Sequence, residues 1–247
     1  MNERSHGAFW TTAAIVLAYG VAMGYLEAAV VVYLRAALGL GPAGVALTHD
    51  PSAFGNYGAV EVARELATLV MIAAVGWLAG RGGLERLAWA SVAFGAWDIV
   101  YYLGLRLVTG WPQSLDAWDI LFLVPVPWVG PVWAPIVVSA ALVGFGLAAT
   151  WRLRGGRAIV VGPARAAAAV VGAALIVGSF LVDAGRISAG EVPPWSGWPL
   201  FGIGMLLVTA AAATALAGPR VGLRGGAARV SNEGGGRPSV GSPDVPT

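Results

Sequence analysis

Six apolar runs recur along the chain, over about 9–34, 60–80, 87–108, 132–151, 164–183 and 198–217. Each holds about 20 residues or more, the length a helix needs to cross roughly 30 Å of hydrocarbon. The pattern predicts an all-α integral membrane protein, a bundle of about six transmembrane helices. One stretch resists the pattern. "ILFLVPVPWVGPVWAP", residues 120–135, is equally apolar but carries Pro125, Pro127, Pro131 and Pro135, each removing a backbone donor and disfavouring helix in its predecessor. Irregular backbone at membrane depth is tolerated only when buried in protein or lining a cavity. Residues 120–131 are therefore expected to form a broken or re-entrant segment before the fourth span, with Trp128 and Trp133 capping a chamber. The alternative is one longer, proline-kinked span over about 120–151. No strand is expected anywhere.

Composition turns this pattern into a location. Of 247 residues, 57% are hydrophobic and 11% charged, against about 25% charged in ordinary soluble domains. The net charge of +2 needs no nucleic-acid partner, because topology accounts for the basic residues, and the absence of cysteine excludes disulfides, thiolate metal sites and Cys nucleophiles. All fifteen basic side chains are Arg. With the N-terminus inside, Arg4, Arg81, Arg86, Arg152, Arg154, Arg157, Arg165, Arg220, Arg224, Arg229 and Arg237 lie on one side, leaving Arg35, Arg64, Arg106 and Arg186 on the other. The positive-inside rule then places both termini in the cytoplasm. Residues 1–8 are expected as a cytoplasmic tail, 9–217 as a single transmembrane domain, and 218–247, rich in Gly, Pro, Ser and Arg, as a disordered cytoplasmic tail. A longer first outer loop carries His49 and Asp50.

The acids gather on the outer side of this topology. Glu27 lies inside the first span and Asp98 near the middle of the third; Glu61, Arg64 and Glu65 open the second; Asp116 and Asp119 precede the proline stretch; Asp183 and Arg186 close the fifth. A charge at the bilayer centre costs about 2.5–3.5 kcal/mol on insertion scales, so such groups face a partner or a water-filled cavity. Glu61 and Glu65, four apart, share a helix face with Arg64 beside them, and Asp98, Tyr102 and Arg106 form one i, i+4 row. On the first span Gly20, Met23, Gly24 and Glu27 share a face, the glycines allowing close helix approach. The expected site is one outward-facing chamber built from Glu27, Glu61, Arg64, Glu65, Asp98, Tyr102, Arg106 and Asp119. Glu27, Glu65 and Asp98 are the candidate ligands of a divalent cation, and a structural ion pair that fixes helix packing is the plainer role for the same residues. Tyr101 reads as a packing residue.

Several chemistries drop out. One histidine in the loop and one near the N-terminus leave no bis-His haem or Ser-His catalysis, and no Walker A or dinucleotide fingerprint is present. "EVARE", Glu61 to Glu65, is similar to the ExxxE element of undecaprenyl-pyrophosphate phosphatases, whose Pro-Gly-x-Ser-Arg-Ser motif is absent. As a block, "YLEAAVVVYLR", "EVARELATLV", "FGAWDIVYY" and "SLDAWDILFLVPVPWVGP" resemble an uncharacterised group of small bacterial multi-pass membrane proteins over roughly residues 20–150. The resemblance implies the bacterial inner membrane and carries no activity with it. Three functions compete: a small-solute or ion carrier coupled to protons, an intramembrane metal-dependent enzyme acting on a lipid or phosphate-bearing substrate, and a non-catalytic accessory or assembly subunit. The lipid bilayer is the expected partner throughout, joined by a second copy of the chain or a membrane partner subunit.

Overall fold

Runs of Ala, Val, Leu and Ile without interior proline form long helices, and six of them are long and apolar enough to cross a membrane. The structure, a computed structural model, describes residues 3–39, 57–124, 126–189, 191 and 194–218. The expected loop with His49 and Asp50, and the tail beyond Gly218, lie outside the described residues. In chain order the elements are α1 (Glu3–Ala37), α2 (Tyr57–Ala79), α3 (Gly83–Thr109), β1 (Trp118–Phe122), β2 (Trp128–Pro131), α4 (Trp133–Arg154), α5 (Pro163–Leu181), the short α6 (Ala184–Ser188) and α7 (Trp198–Ala217). The first helix starts at Glu3, so residues 3–8, expected as a tail, continue it.

Helix α3 is the centre of the molecule and packs along α1, α4 and α2, while α5 and α7 form a separate pair that meets the rest through α4 and β2. Between helices this apolar, close packing of small residues is the main source of attraction. A Cβ at Gly20 would stand 2.9 Å from the carbonyl of Ala93, and one at Gly24 would stand 2.8 Å from Val100 Cβ, so α1 rests directly on α3. The α5–α7 seam uses the same device: a Cβ on Gly172 would come within 2.8 Å of the Gly204 carbonyl. Phe9, Val16, Met23, Ile72, Trp89, Val92 and Trp97 fill the core between α1, α2 and α3. Outward-facing residues such as Ile15, Val70, Leu87, Leu107, Val170 and Leu206 are exposed and apolar.

The proline stretch is not a kinked helix over 120–131; two short strands occupy its flanks, and this corrects the expectation that the chain has no strand. β1 and β2 pair antiparallel, Trp118 with Pro131, Asp119 with Gly130 and Ile120 with Val129, with a register irregularity between Ile120 and Phe122. The pairing continues toward α4 through Val132 N–H to the Ala117 carbonyl and Trp133 N–H to the Leu115 carbonyl, both 2.9 Å. The hairpin pairs the backbone groups that face each other across its two strands, part of the requirement that selects helices elsewhere in the chain, while its outer edges need partners such as the Glu65 carboxylate on Leu123 N–H. Large and β-branched side chains in "WDILF" favour it, and Pro131 sits at the strand end, where its missing N–H removes no interior ladder bond. The hairpin lies between the two helical groups. Gly130 lets β2 touch α5, since a Cβ there would be 2.9 Å from the Phe180 ring.

Candidate functional site

Three helices and the hairpin enclose a cavity of about 150 Å³ at the hairpin end of α3. Each helix contributes one face at i, i+3/i+4 spacing: Glu27, Val31 and Arg35 from α1; Glu61, Arg64, Glu65 and Thr68 from α2; Trp97, Asp98, Tyr101, Tyr102 and Leu105 from α3. Trp118 to Leu123 of the hairpin form the remaining wall.

Arg64 is the hinge of the polar network. Its guanidinium pairs with Glu27 across the α1–α2 gap through Nη1, and with Glu61 one turn back through Nε at 2.8 Å. Glu65 takes the backbone N–H of Leu123 on both carboxylate oxygens, at 3.0 and 3.2 Å, and so ties α2 to the hairpin. Tyr102 donates its hydroxyl to Asp119 Oδ2 at 3.0 Å, tying α3 to β1. Asp98 accepts from Ser139 Oγ at 2.8 Å, tying α3 to α4. In the hairpin, burial pushes the Asp119 carboxyl up to about 7, against the lowering by the Tyr102 hydroxyl and the Ile120 N–H.

Seven of the eight candidate residues therefore line one cavity, and Arg106 does not. It is exposed on α3, and its Nη1 donates to the carbonyls of Gly110 and, at 3.0 Å, Pro112. The i, i+4 row from Asp98 runs past the cavity mouth at this point, so Arg106 secures the turn after the helix instead. Glu27, Glu65 and Asp98 do not converge, because Arg64, Leu123 N–H and Ser139 draw them toward three different elements, and among the described residues no group of three acids or histidines is arranged to hold a metal ion. Trp128 and Trp133, expected to cap the chamber, do not line it: Trp133 packs with Trp195 and Phe201, and Trp128 stands behind the wall against Phe122. Asp183 is buried elsewhere, accepting from Ser196 N–H at 2.7 Å and Ser196 Oγ at 2.6 Å between α5 and α7.

Arg35, Thr68, Trp97, Tyr101, Trp111 and Trp118 are among the cavity residues that the expected site left out. A signal for Arg35 was present, since Glu27, Val31 and Arg35 form an i, i+4 row. So was one for Thr68, seven residues from Glu61. Ser139, a lone hydroxyl in an apolar run, gave no sign that it would meet Asp98.

A second polar cluster closes the other end of α3. Arg154 of α4 pairs with Glu85 of α3 at 2.7 Å, both side chains more than nine-tenths buried. The same guanidinium donates to the Ala8 carbonyl at 2.9 Å, Thr12 Oγ1 at 2.7 Å and the Ala79 carbonyl at 3.0 Å. Four helices thus meet on one side chain, above the Trp89 ring. Comparison with protein-family models, curated proteins and solved structures finds no match to this chain.

Proposed function

We propose that the chain is a multi-pass protein of the bacterial inner membrane that binds a small solute or ion in the hairpin-end cavity and carries it in a proton-coupled manner. The arginine asymmetry puts the Arg154 end in the cytoplasm and the cavity toward the outside, and the resemblance to small bacterial multi-pass membrane proteins supports the same location. One observation carries the reading: five carboxylates, Glu27, Glu61, Glu65, Asp98 and Asp119, surround a single cavity with two guanidinia, those of Arg35 and Arg64. Like charges so placed need protons or a bound cation to share the space, and intramembrane acids of this kind mark substrate and proton paths. The hairpin supplies non-helical backbone of the kind tolerated at membrane depth where it lines a cavity. Six spans are few for alternating access, so a second copy is the expected working partner. The metal-dependent enzyme reading loses its support with the dispersed carboxylates.

The test is proton movement in proteoliposomes holding a trapped pH-sensitive dye, with the outside made acidic and a panel of small amines, amino acids and sugars added in turn. Solute-dependent proton influx is expected with the natural chain and is lost in Asp98→Asn, which keeps the side chain's shape. Influx with no solute dependence, or unchanged in that variant, would defeat the proposal.

A further inference from the structure

We infer that the hairpin-end cavity takes a small organic ammonium that also carries an acceptor oxygen. The inference rests on the cavity being the solute site and names the class of solute.

The carboxylates are numerous but dispersed. Glu27 and Glu61 share Arg64, Glu65 faces Leu123 N–H, Asp98 faces Ser139 and Asp119 faces Tyr102. A compact metal ion needs several oxygens at about 2–2.6 Å from one point, and the described residues offer no such group. A cation whose charge is spread over methyl or methylene groups is suited to acids that surround it without converging. The rest of the wall is aromatic. Trp97, Tyr101, Trp111, Trp118 and Phe122 line the same cavity, and aromatic rings attract ammonium groups through their quadrupole, most strongly where water is excluded.

A second observation concerns donors. The indole N–H groups of Trp97 and Trp111 have no hydrogen-bond partner among the described residues. Both side chains line the cavity and belong to residues only 6% and 8% exposed. Buried donors are almost always paired in folded proteins; neither nitrogen has exposed surface of its own, so a small turn of each ring brings it to an oxygen of the bound molecule. Acids and rings account for a positive head, and orphan indoles for an oxygen near it. A cavity of about 150 Å³ limits the whole to a few heavy atoms.

The test is calorimetric titration of the purified full chain with choline, with tetramethylammonium and with neohexanol, the uncharged carbon isostere of choline. Choline should bind tightest, and neohexanol at least about tenfold more weakly, in line with a desolvated cation–π and carboxylate site. Equal binding of neohexanol, or binding of Mg²⁺ with none of either ammonium, overturns the inference. Asp98→Asn should weaken choline about tenfold; should that variant fail to fold, Trp118→Leu on the hairpin is expected to do the same. The double replacement Trp97→Phe with Trp111→Phe keeps the rings and removes both donors. It should erase the advantage of choline over tetramethylammonium, and persistence of that advantage removes the acceptor oxygen from the assignment. Ammonium binding without proton-coupled flux would sink the carrier and leave the ligand class standing; solute-driven flux without ammonium binding would do the reverse.

Discussion

At one end of α3, Arg154 meets Glu85 with every guanidinium nitrogen engaged. At the other end, Arg64 is divided between two glutamates in a cavity that holds three more carboxylates. The residue types are the same and the consequences differ. A buried guanidinium with every nitrogen hydrogen-bonded behaves as a fixed crosslink among helices. A guanidinium outnumbered by acids leaves charge for something else to neutralise. The Arg154 end has the character of a structural tie, and the Arg64 end is the one to which the proposal assigns binding.

The largest expected effect follows from removing the tie. Arg154→Met leaves Glu85 buried without its partner and should cost about 3–5 kcal/mol of stability, the usual penalty for breaking a buried pair from one side. Denaturant titration of the purified protein in detergent measures it. The double variant with Glu85→Gln should recover part of the loss, and a single variant as stable as the natural chain would remove the contrast between the two ends.

Arg64→Met comes next. Arg64 keeps about a fifth of its side chain exposed, and solvent screens part of its pairing, so the expected loss is smaller, about 1–2 kcal/mol. Introduced cysteines at Val31 and Thr68, on facing walls of the cavity, should crosslink less efficiently in this variant if Arg64 holds α1 to α2. Unchanged crosslinking would show that the Glu27 pair does not bridge the helices.

Neutralising a cavity acid should do the opposite of breaking the tie. Asp98→Asn retains a hydrogen bond to Ser139 and removes a charge that no arginine pairs, so stability should hold within about 1 kcal/mol or rise. A drop as large as that of Arg154→Met would make Asp98 structural.

The smallest effect is a pH profile. Asp119 has its carboxyl raised to about 7 in the folded chain, above the roughly 3.9 of an unfolded aspartate. Between those values the folded state holds the extra proton, so stability should fall as pH rises from about 4 to 7. Asp119→Asn should flatten that part of the curve in thermal melts taken across the range. A slope that is the same in both proteins would place the titrating group elsewhere.

The six helices were legible because each is written locally, as an uninterrupted apolar run of spanning length. The faces of α1 and α2 were legible for the same reason: Glu61, Arg64 and Glu65 share a side by helical spacing alone. Spacing also misled. It put Arg106 in line with Asp98, yet a row along a helix leaves a cavity once the cavity ends. Prolines announced that residues 120–131 would not be helical without saying how their backbone would be satisfied, and a hairpin answers that by pairing two segments whose match is visible only when both are folded.

What the sequence determined by itself was the set of helices, their apolar exterior and the concentration of acids toward one end. The tertiary structure decided which charges became partners. Glu85 and Arg154 are 69 residues apart, Asp98 and Ser139 are 41, and Glu65 and Leu123 are 58; no local rule pairs them. Helical periodicity specifies the face on which a side chain emerges, whereas its partner depends on which helices lie side by side, at what depth and rotation. Those are set by glycine contacts such as Gly20 and Gly24 on α3, summed over the whole bundle.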